Sequence, residues 1–482
     1  MSTAQRLDWT AQPLDVLRRW PRSVALAALL SGDESSWSRV SVIGVPSQWN
    51  ILRDQEGLTT NDVLAWIRSL DGARADTTST SRDGPPMGAG WFTQFSYELG
   101  GVLEPTARAS GHQFKVQFNN DTRKNEALRG DETKSPHEKT QPCKMQDKNN
   151  TESLRATSAQ WPLAQAARCD QAFVFDHVAQ QWWSIGGAVD AIELRDGDAM
   201  DHCECAALQE ETSDEQYAQA VERAIALIHA GDLFQANIAR QWHSELRGSP
   251  RAFAHMALSS SAARYGAWLE TPTGMLASMS PELFLELDAN RRVISRPIKG
   301  TRASEVGAEE LARSEKDAAE LHMIVDLMRN DLSRECQPGT VRVRQTRVME
   351  THGTVVHGVA EIHGQLQQSS DRAALLTSTF PPGSITGAPK IRAMQVINEL
   401  EKFSRGPYCG AIGYFADTGA MKLSVAIRTA TLRQSAPETY ALTYAAGCGI
   451  TSDSKPNEEV AETHAKVRVL EQAIHAAQPS HI

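Results

Sequence analysis

The chain of 482 residues carries 49 basic against 59 acidic side chains, a formal net charge of −10, with 41% apolar and 22% charged residues. That length supports a large core and more than one structural unit, and the composition is ordinary for a water-soluble globular protein. The acidic balance argues against a nucleic-acid partner, which calls for a basic face, yet permits an anionic small molecule in a locally positive pocket.

At the start, Met1 to Thr10 has no basic stretch leading into an apolar run, so no signal peptide is expected. The apolar run Val24 to Leu30 is too short to span a bilayer. Seven cysteines (143, 169, 203, 205, 336, 409, 448) form no CxxC pair, and Cys203-Glu204-Cys205 lacks the spacing of a zinc half-site. The expectation is a cytoplasmic protein with free thiols and no membrane segment.

Ser41 to Val45 and Gly90 to Tyr97 read as strands, and Asn61 to Leu70 as a helix capped by Asn61. From about 119 to 160 aromatic residues disappear and Lys, Glu, Asp, Asn, Thr and Ser dominate. Such a stretch buries too little apolar area to offset an ordering cost of roughly 1–2 kcal/mol per residue, so a disordered insertion is expected. Ala172 to Asp176 reads as a strand, and Arg195 to Glu211 as a linker, giving an N-terminal region 1–205 and a second region 206–482.

Ser213-Asp214-Glu215-Gln216 is a capping box, after which Tyr217, Val221, Ala224, Ile225 and Ile228 recur at helical spacing until Gly231. Beyond it, strands are expected over Leu283–Leu287, Val341–Val348, Gly410–Phe415, Lys422–Thr431 and Thr439–Ala445. Helices are expected over Ala308–Arg329, Pro389–Glu401 and Asn457–Ala476.

Six segments follow in one order: Phe234-Gln235-Ala236-Asn237, Ser280-Pro281-Glu282, Pro297-Ile298-Lys299-Gly300-Thr301-Arg302, Asp326 to Leu332, Gly383 to Lys390, and Gly410 to Tyr414. Together they resemble the chorismate-utilising family of anthranilate, aminodeoxychorismate, isochorismate and salicylate synthases. The resemblance is dense over 213–470 and thin before, where Ser96 to Gly100 matches best. It implies an α+β fold, two antiparallel β-sheets packed as a sandwich with helices on the outside. It also carries tryptophan as a ligand of the N-terminal region, with no residues of this chain to match it.

Glu459 and Glu462 stand three apart on the last helix, with Lys466 four further on. A solvated acidic face is the plain alternative. The family pattern implies instead that Glu320, Glu459 and Glu462 hold Mg²⁺, a hard cation suited to carboxylate oxygens. Arg428 on an apolar run needs a buried counter-charge, and the resemblance assigns it and Lys466 to substrate carboxylates. Gln235, Gly300, Thr301, Thr386, Tyr408, Gly447 and Gly449 are the other implied substrate contacts. A strand bulge is the plain alternative for the two last glycines.

Glu282 matches the general acid for departure of the C4 hydroxyl, which needs a carboxyl that keeps its proton. His357 matches the family's active-site histidine; His352 and His363 show how common such a residue is, and register alone singles out His357. Lys299 sets the branch. Family members making anthranilate typically carry Ala there, whereas those making aminodeoxychorismate carry Lys, whose neutral amine attacks C2 of the ring. A lysine paired with a Glu, or one that only contacts a substrate carboxylate, is the plain alternative. The resemblance thus implies amination of chorismate on the route to para-aminobenzoate and folate, with anthranilate plus pyruvate as the alternative outcome. Around Cys448 there is no glutaminase signature, so ammonia is expected from solution or from a glutamine amidotransferase subunit.

Overall fold

The computed structural model describes residues 4–31, 39–71, 89–107, 160–186, 192–195, 201–261, 263–303, 307–352 and 355–476. The polar insertion expected over 119–160 lies, but for Gln160, outside the described residues.

Two antiparallel sheets form the framework of an α+β sandwich with helices outside. The larger has 13 strands among the described residues. Its order is Gln5–Leu7, Gln181–Ile185, Gln171–Asp176, Val40–Val45, Ala27–Leu30, Tyr265–Thr271, Gly274–Ser280, Thr429–Ala436, Thr439–Ile450, Gln235–Gly248 and Gln209–Glu210. Cys203–Cys205 and Gly387–Ala388 also pair with Gln235–Gly248. The second sheet has 10 strands: Ile298–Ala303, Val355–Gln365, Arg292–Arg296, Leu283–Leu287, Met421–Val425, Ala411–Ala416, Gly90–Phe95, Ala164–Cys169 and Gln48–Leu52, with Arg342–His352 added on Val355–Gln365. Strands from before and after residue 205 share both sheets.

Two of the chain's crossings between the sheets run side by side. Ser280 ends a strand of the first sheet and Leu283 opens one of the second; Val425 and Thr429 make the return. Ser280 Oγ donates to the Val425 carbonyl at 2.6 Å, the Val425 amide donates to the Glu282 carbonyl at 3.1 Å, and the Met279 amide to the Arg428 carbonyl at 2.9 Å. Such corners let strands switch sheets, and here they place Glu282 and Arg428 in the space between.

The expected linker Arg195–Glu211 instead carries the strands Cys203–Cys205 and Gln209–Glu210, which pair with Gln235–Gly248. Three further expectations change. The run Lys422–Thr431 is two strands, Met421–Val425 and Thr429–Ala436, because Arg428 adopts φ +50°, a left-handed conformation that breaks the ladder. The run Ala308–Arg329 is two helices, Gly307–Arg313 and Glu315–Ser333. Ser314 leaves the helical region to accept from the Asp317 amide at 3.2 Å, and Arg347 donates to the freed carbonyls of Ala312 and Ser314. The early helix begins at Thr60, not after Asn61, because Thr59 and Asp62 close a capping box.

The Ser213 box does form, its Oγ accepting from Gln216 N at 3.3 Å while Gln216 Oε1 accepts from Ser213 N at 3.1 Å, and the helix Asp214–His229 ends before Gly231 at φ +84°. Cys169, Cys203, Cys205, Cys336, Cys409 and Cys448 are free thiols. Among the described residues no helix is long and apolar enough to cross a membrane.

Candidate active site

The floor of the site is the pairing of Gln235–Gly248 with Thr439–Ile450, in the register Asn237↔Gly449, Ile238↔Cys448 and Ala239↔Gly447. Both glycines are needed for close approach. A Cβ on Gly447 would sit 2.5 Å from the Ile238 carbonyl oxygen, and one on Gly449 would overlap the Gln235 amide nitrogen and stand 3.1 Å from Lys299 Nζ. Gln235 is 1% exposed, and its Oε1 is enclosed without a hydrogen-bond partner among the described residues. A buried polar atom left open in this way is costly unless a ligand completes it.

Lys299 and Thr301 lie on Ile298–Ala303, opposite Gly358 and His357 of the neighbouring strand. Gly300 between them has φ +77°, and a Cβ there would meet Leu311 Cδ1 at 2.5 Å. Thr301 Oγ1 is 2.8 Å from His357 Nδ1, which fixes the ring. Lys299 is half-buried, and its amine forms no hydrogen bond or ion pair with any described residue. Its charge is nevertheless felt by three carboxylates, Glu282, Glu320 and Glu462. Glu282, 3% exposed, is pushed up to about 7 by burial, with Ser384, Lys299 and the Ile298 amide pulling the other way.

Glu459 and Glu462 converge on the helix Pro456–Ala476, with carboxylate oxygens that lie within 4.8 Å of each other and of Cys448 Sγ. Glu320 is not in that tight group; it approaches from the helix Glu315–Ser333 and faces Lys299, Lys316 and Glu462. Burial raises the Glu320 pKa, whereas the Lys466 ammonium, 2.7 Å away, lowers that of Glu462. Lys466 also donates to the Gly447 carbonyl at 2.7 Å. Burial works against its charge, but the contact with the Glu462 carboxylate holds its pKa above the usual lysine range.

The Arg428 guanidinium has no hydrogen-bond or ion-pair partner among the described residues, and burial lowers its pKa. A guanidinium held in a left-handed backbone conformation without a counter-charge is poised for an anion. Tyr408 and Thr386 are both buried. Thr386 Oγ1 donates locally to Pro382 and Gly383, while its carbonyl accepts from Asn237 N at 2.8 Å, so its backbone belongs to the floor.

A model of the chorismate binding enzyme family matches residues 28–472. The chain belongs to this family. Over 263 residues it is 39% identical to aminodeoxychorismate synthase component 1 of Salmonella typhimurium, spanning 53% of this chain and 57% of that one. Over 280 residues it is also 39% identical to anthranilate synthase component 1 of Thermus thermophilus, with 57% and 59% covered. Both matches span less than two thirds of the relative's length. A third, at 33% over 334 residues, covers 76% of anthranilate synthase component 1 of Saccharolobus solfataricus and 67% of this chain. In fold the chain is similar to anthranilate synthase component I of Streptococcus pneumoniae, with TM-score 0.69 at 23% identity over 97% of this chain and all of that one.

As a chorismate-binding family member, the chain shows site features that its motifs did not single out. Glu401 and Arg405 form a buried ion pair at 2.6 Å behind Tyr408. Arg405 donates to the carbonyls of Asn237 and Ile385, and Glu401 accepts from the Ala239 amide. Their i, i+4 spacing in the sequence was the available signal. Ser384 lay inside a quoted segment, yet nothing in the sequence distinguished its hydroxyl from that of Thr386.

Proposed function

We propose that this chain acts as component 1 of an aminodeoxychorismate synthase, using Lys299 as nucleophile toward C2 of chorismate. The observation that carries the proposal is the Lys299 amine, without a hydrogen-bond or ion-pair partner among the described residues, beside Gly449 and facing Glu282. A lysine serving structure would be engaged with one of its three neighbouring carboxylates.

The chemistry balances with these residues. The amine lone pair forms the N–C2 bond and each ring double bond moves one bond along. The C4–O bonding pair leaves with oxygen, which takes the Glu282 proton and departs as water. Ammonia then bonds to C4, the double bonds return and the lysine nitrogen leaves C2 with its electron pair; the Glu282 carboxylate takes the surplus proton. Arg428 and Lys466 are the cations for the substrate carboxylates. Thr386, Tyr408, Gly300 and the backbone around Gly447 and Gly449 shape the pocket, and Thr301 orients His357.

The donor set fits Mg²⁺: Glu459 and Glu462 already converge, Glu320 faces them, and all three offer hard oxygens, whereas burial keeps the Cys448 thiol protonated. Bound there, the ion supplies positive charge for the ring carboxylate. A glutamine amidotransferase subunit is the proposed ammonia source.

The test is incubation with chorismate, Mg²⁺ and ammonium, with the product identified by mass before and after added aminodeoxychorismate lyase. Aminodeoxychorismate is the expected product. Fluorescent anthranilate would replace the proposal with the chemistry named for the other relatives. Lys299→Ala should abolish any trapped adduct while leaving Mg²⁺ binding intact.

A further inference from the structure

We propose that Ser384 is a positioning residue, its enclosed hydroxyl donating to the Glu282 carboxyl and turning that acid toward the substrate's C4 oxygen, an inference that rests on the function proposed above. Ser384 is 5% exposed and its Oγ is shut off from solvent without a hydrogen bond of ordinary geometry to any described residue. It faces Glu282, whose carboxyl it helps hold in the ionised form against burial. An enclosed hydroxyl without a well-formed bond to any described residue is costly, and the Glu282 carboxyl is the acceptor that a small side-chain rotation brings into line.

Both ends of this contact are built on fixed backbone. Ser384 sits in the short turn Gly383–Ile385, whose Ile385 carbonyl accepts from Arg405 at 3.2 Å. A Cβ on Gly383 would stand 2.9 Å from Leu327 Cδ2, so the turn is pressed onto the helix that carries Glu320. Beyond the turn, Lys390 is tied to Asp331 at 2.5 Å and to the Thr379 carbonyl at 2.8 Å. The Glu282 backbone is pinned through Ser280 Oγ and Val425. What remains free is the torsion of the Glu282 side chain. Of the groups that face its carboxyl, Lys299 is committed to C2, which leaves the Ile298 amide and Ser384 as neutral donors. With those donors on one carboxyl oxygen, the other carries the proton to the leaving hydroxyl.

The test compares wild type, Ser384→Ala and Ser384→Thr. The Glu282 carboxyl is titrated by ¹³C NMR in the protein alone, assigned by its loss in Glu282→Gln. Removing a donor to the carboxylate should move its midpoint up in the alanine variant and the threonine should restore it. In chorismate consumption with Mg²⁺ and ammonium, the alanine variant should lose on the order of tenfold in kcat with KM little changed. Its alkaline limb should move to higher pH, and threonine should recover both. An unmoved carboxyl midpoint, or a loss that threonine does not recover, overturns the assignment. If the amination itself is wrong, wild type yields another product, while the Glu282 titration still decides the role of Ser384.

Discussion

The Lys299 amine stands 3.1 Å from the point where a Cβ on Gly449 would begin. A methyl group there also overlaps the amide end of Gln235, a flexible side chain that can turn aside. Gly449→Ala should therefore keep its fold but lose at least tenfold in chorismate consumption, because both displaced groups belong to the pocket. Gly447→Ala differs: its methyl meets the Ile238 carbonyl, which cannot move without opening the strand pairing. That variant should melt several degrees below wild type. Melting curves and initial rates on both check this, and a fully active Gly449→Ala would sink it.

Glu282 gives a pH dependence with a definite sign. Its folded pKa of about 7 lies above the ordinary carboxyl value of 4.5 because burial disfavours the charge. Between these values the folded protein holds a proton that the unfolded chain has released. The stability this contributes is complete below about 4.5 and is lost as pH rises through 7, on the order of 3 kcal/mol. Glu282→Gln removes the loss, so its stability relative to wild type should increase from pH 5 to pH 8 in urea unfolding. Parallel curves for the two proteins would refute the assignment. Activity should fall above pH 7 for the same reason, since the acid has then given up its proton.

Much of this is legible in the amino-acid sequence. Ser213-Asp214-Glu215-Gln216 gave a helix start by local hydrogen bonding alone, and Leu283–Leu287 appeared at its observed boundaries. The break at Ser314 was harder to see, because apolar spacing carries across it while the cap depends on one serine leaving the helix. Arg428 was misplaced on a strand because periodicity does not report a left-handed residue between Ile427 and Thr429. Among site residues, Glu459, Glu462 and Lys466 share a helix, so their spacing sufficed. Glu320 arrives from a different helix, and its distance from that group is set by tertiary packing. The two sheet crossings that bring Glu282 beside Val425 are long-range as well, and no local pattern encodes them.

The buried Glu401–Arg405 pair ties the floor to the segment that carries Tyr408. Arg405 lies 4.4 Å from the Tyr97 ring centroid and its guanidinium is almost fully enclosed. Arg405→Met leaves an unpaired carboxylate in the interior and should cost about 3–5 kcal/mol. Replacing Glu401 with leucine in the same chain should recover a large part of that loss, since no charge is then stranded. Chemical denaturation of both variants checks this. If the double variant is less stable than Arg405→Met alone, the pair acts through its backbone bonds and not through charge.

Glu462 separates a metal site from a plain ion pair. Lys466 keeps it ionised, and its oxygens lie within 4.8 Å of those of Glu459. In the absence of metal, Glu462→Gln loses one partly exposed ion pair, worth at most about 1 kcal/mol, and should melt close to wild type. With Mg²⁺ the two should diverge. A ligand that binds the folded state raises the melting temperature with its concentration, so wild type should shift upward as Mg²⁺ is added. The glutamine variant, lacking one carboxylate, should need on the order of tenfold more Mg²⁺ for the same shift and for half-maximal chorismate consumption. Equal shifts in the two proteins would mean that these carboxylates serve only Lys466, and the metal would have to be sought elsewhere.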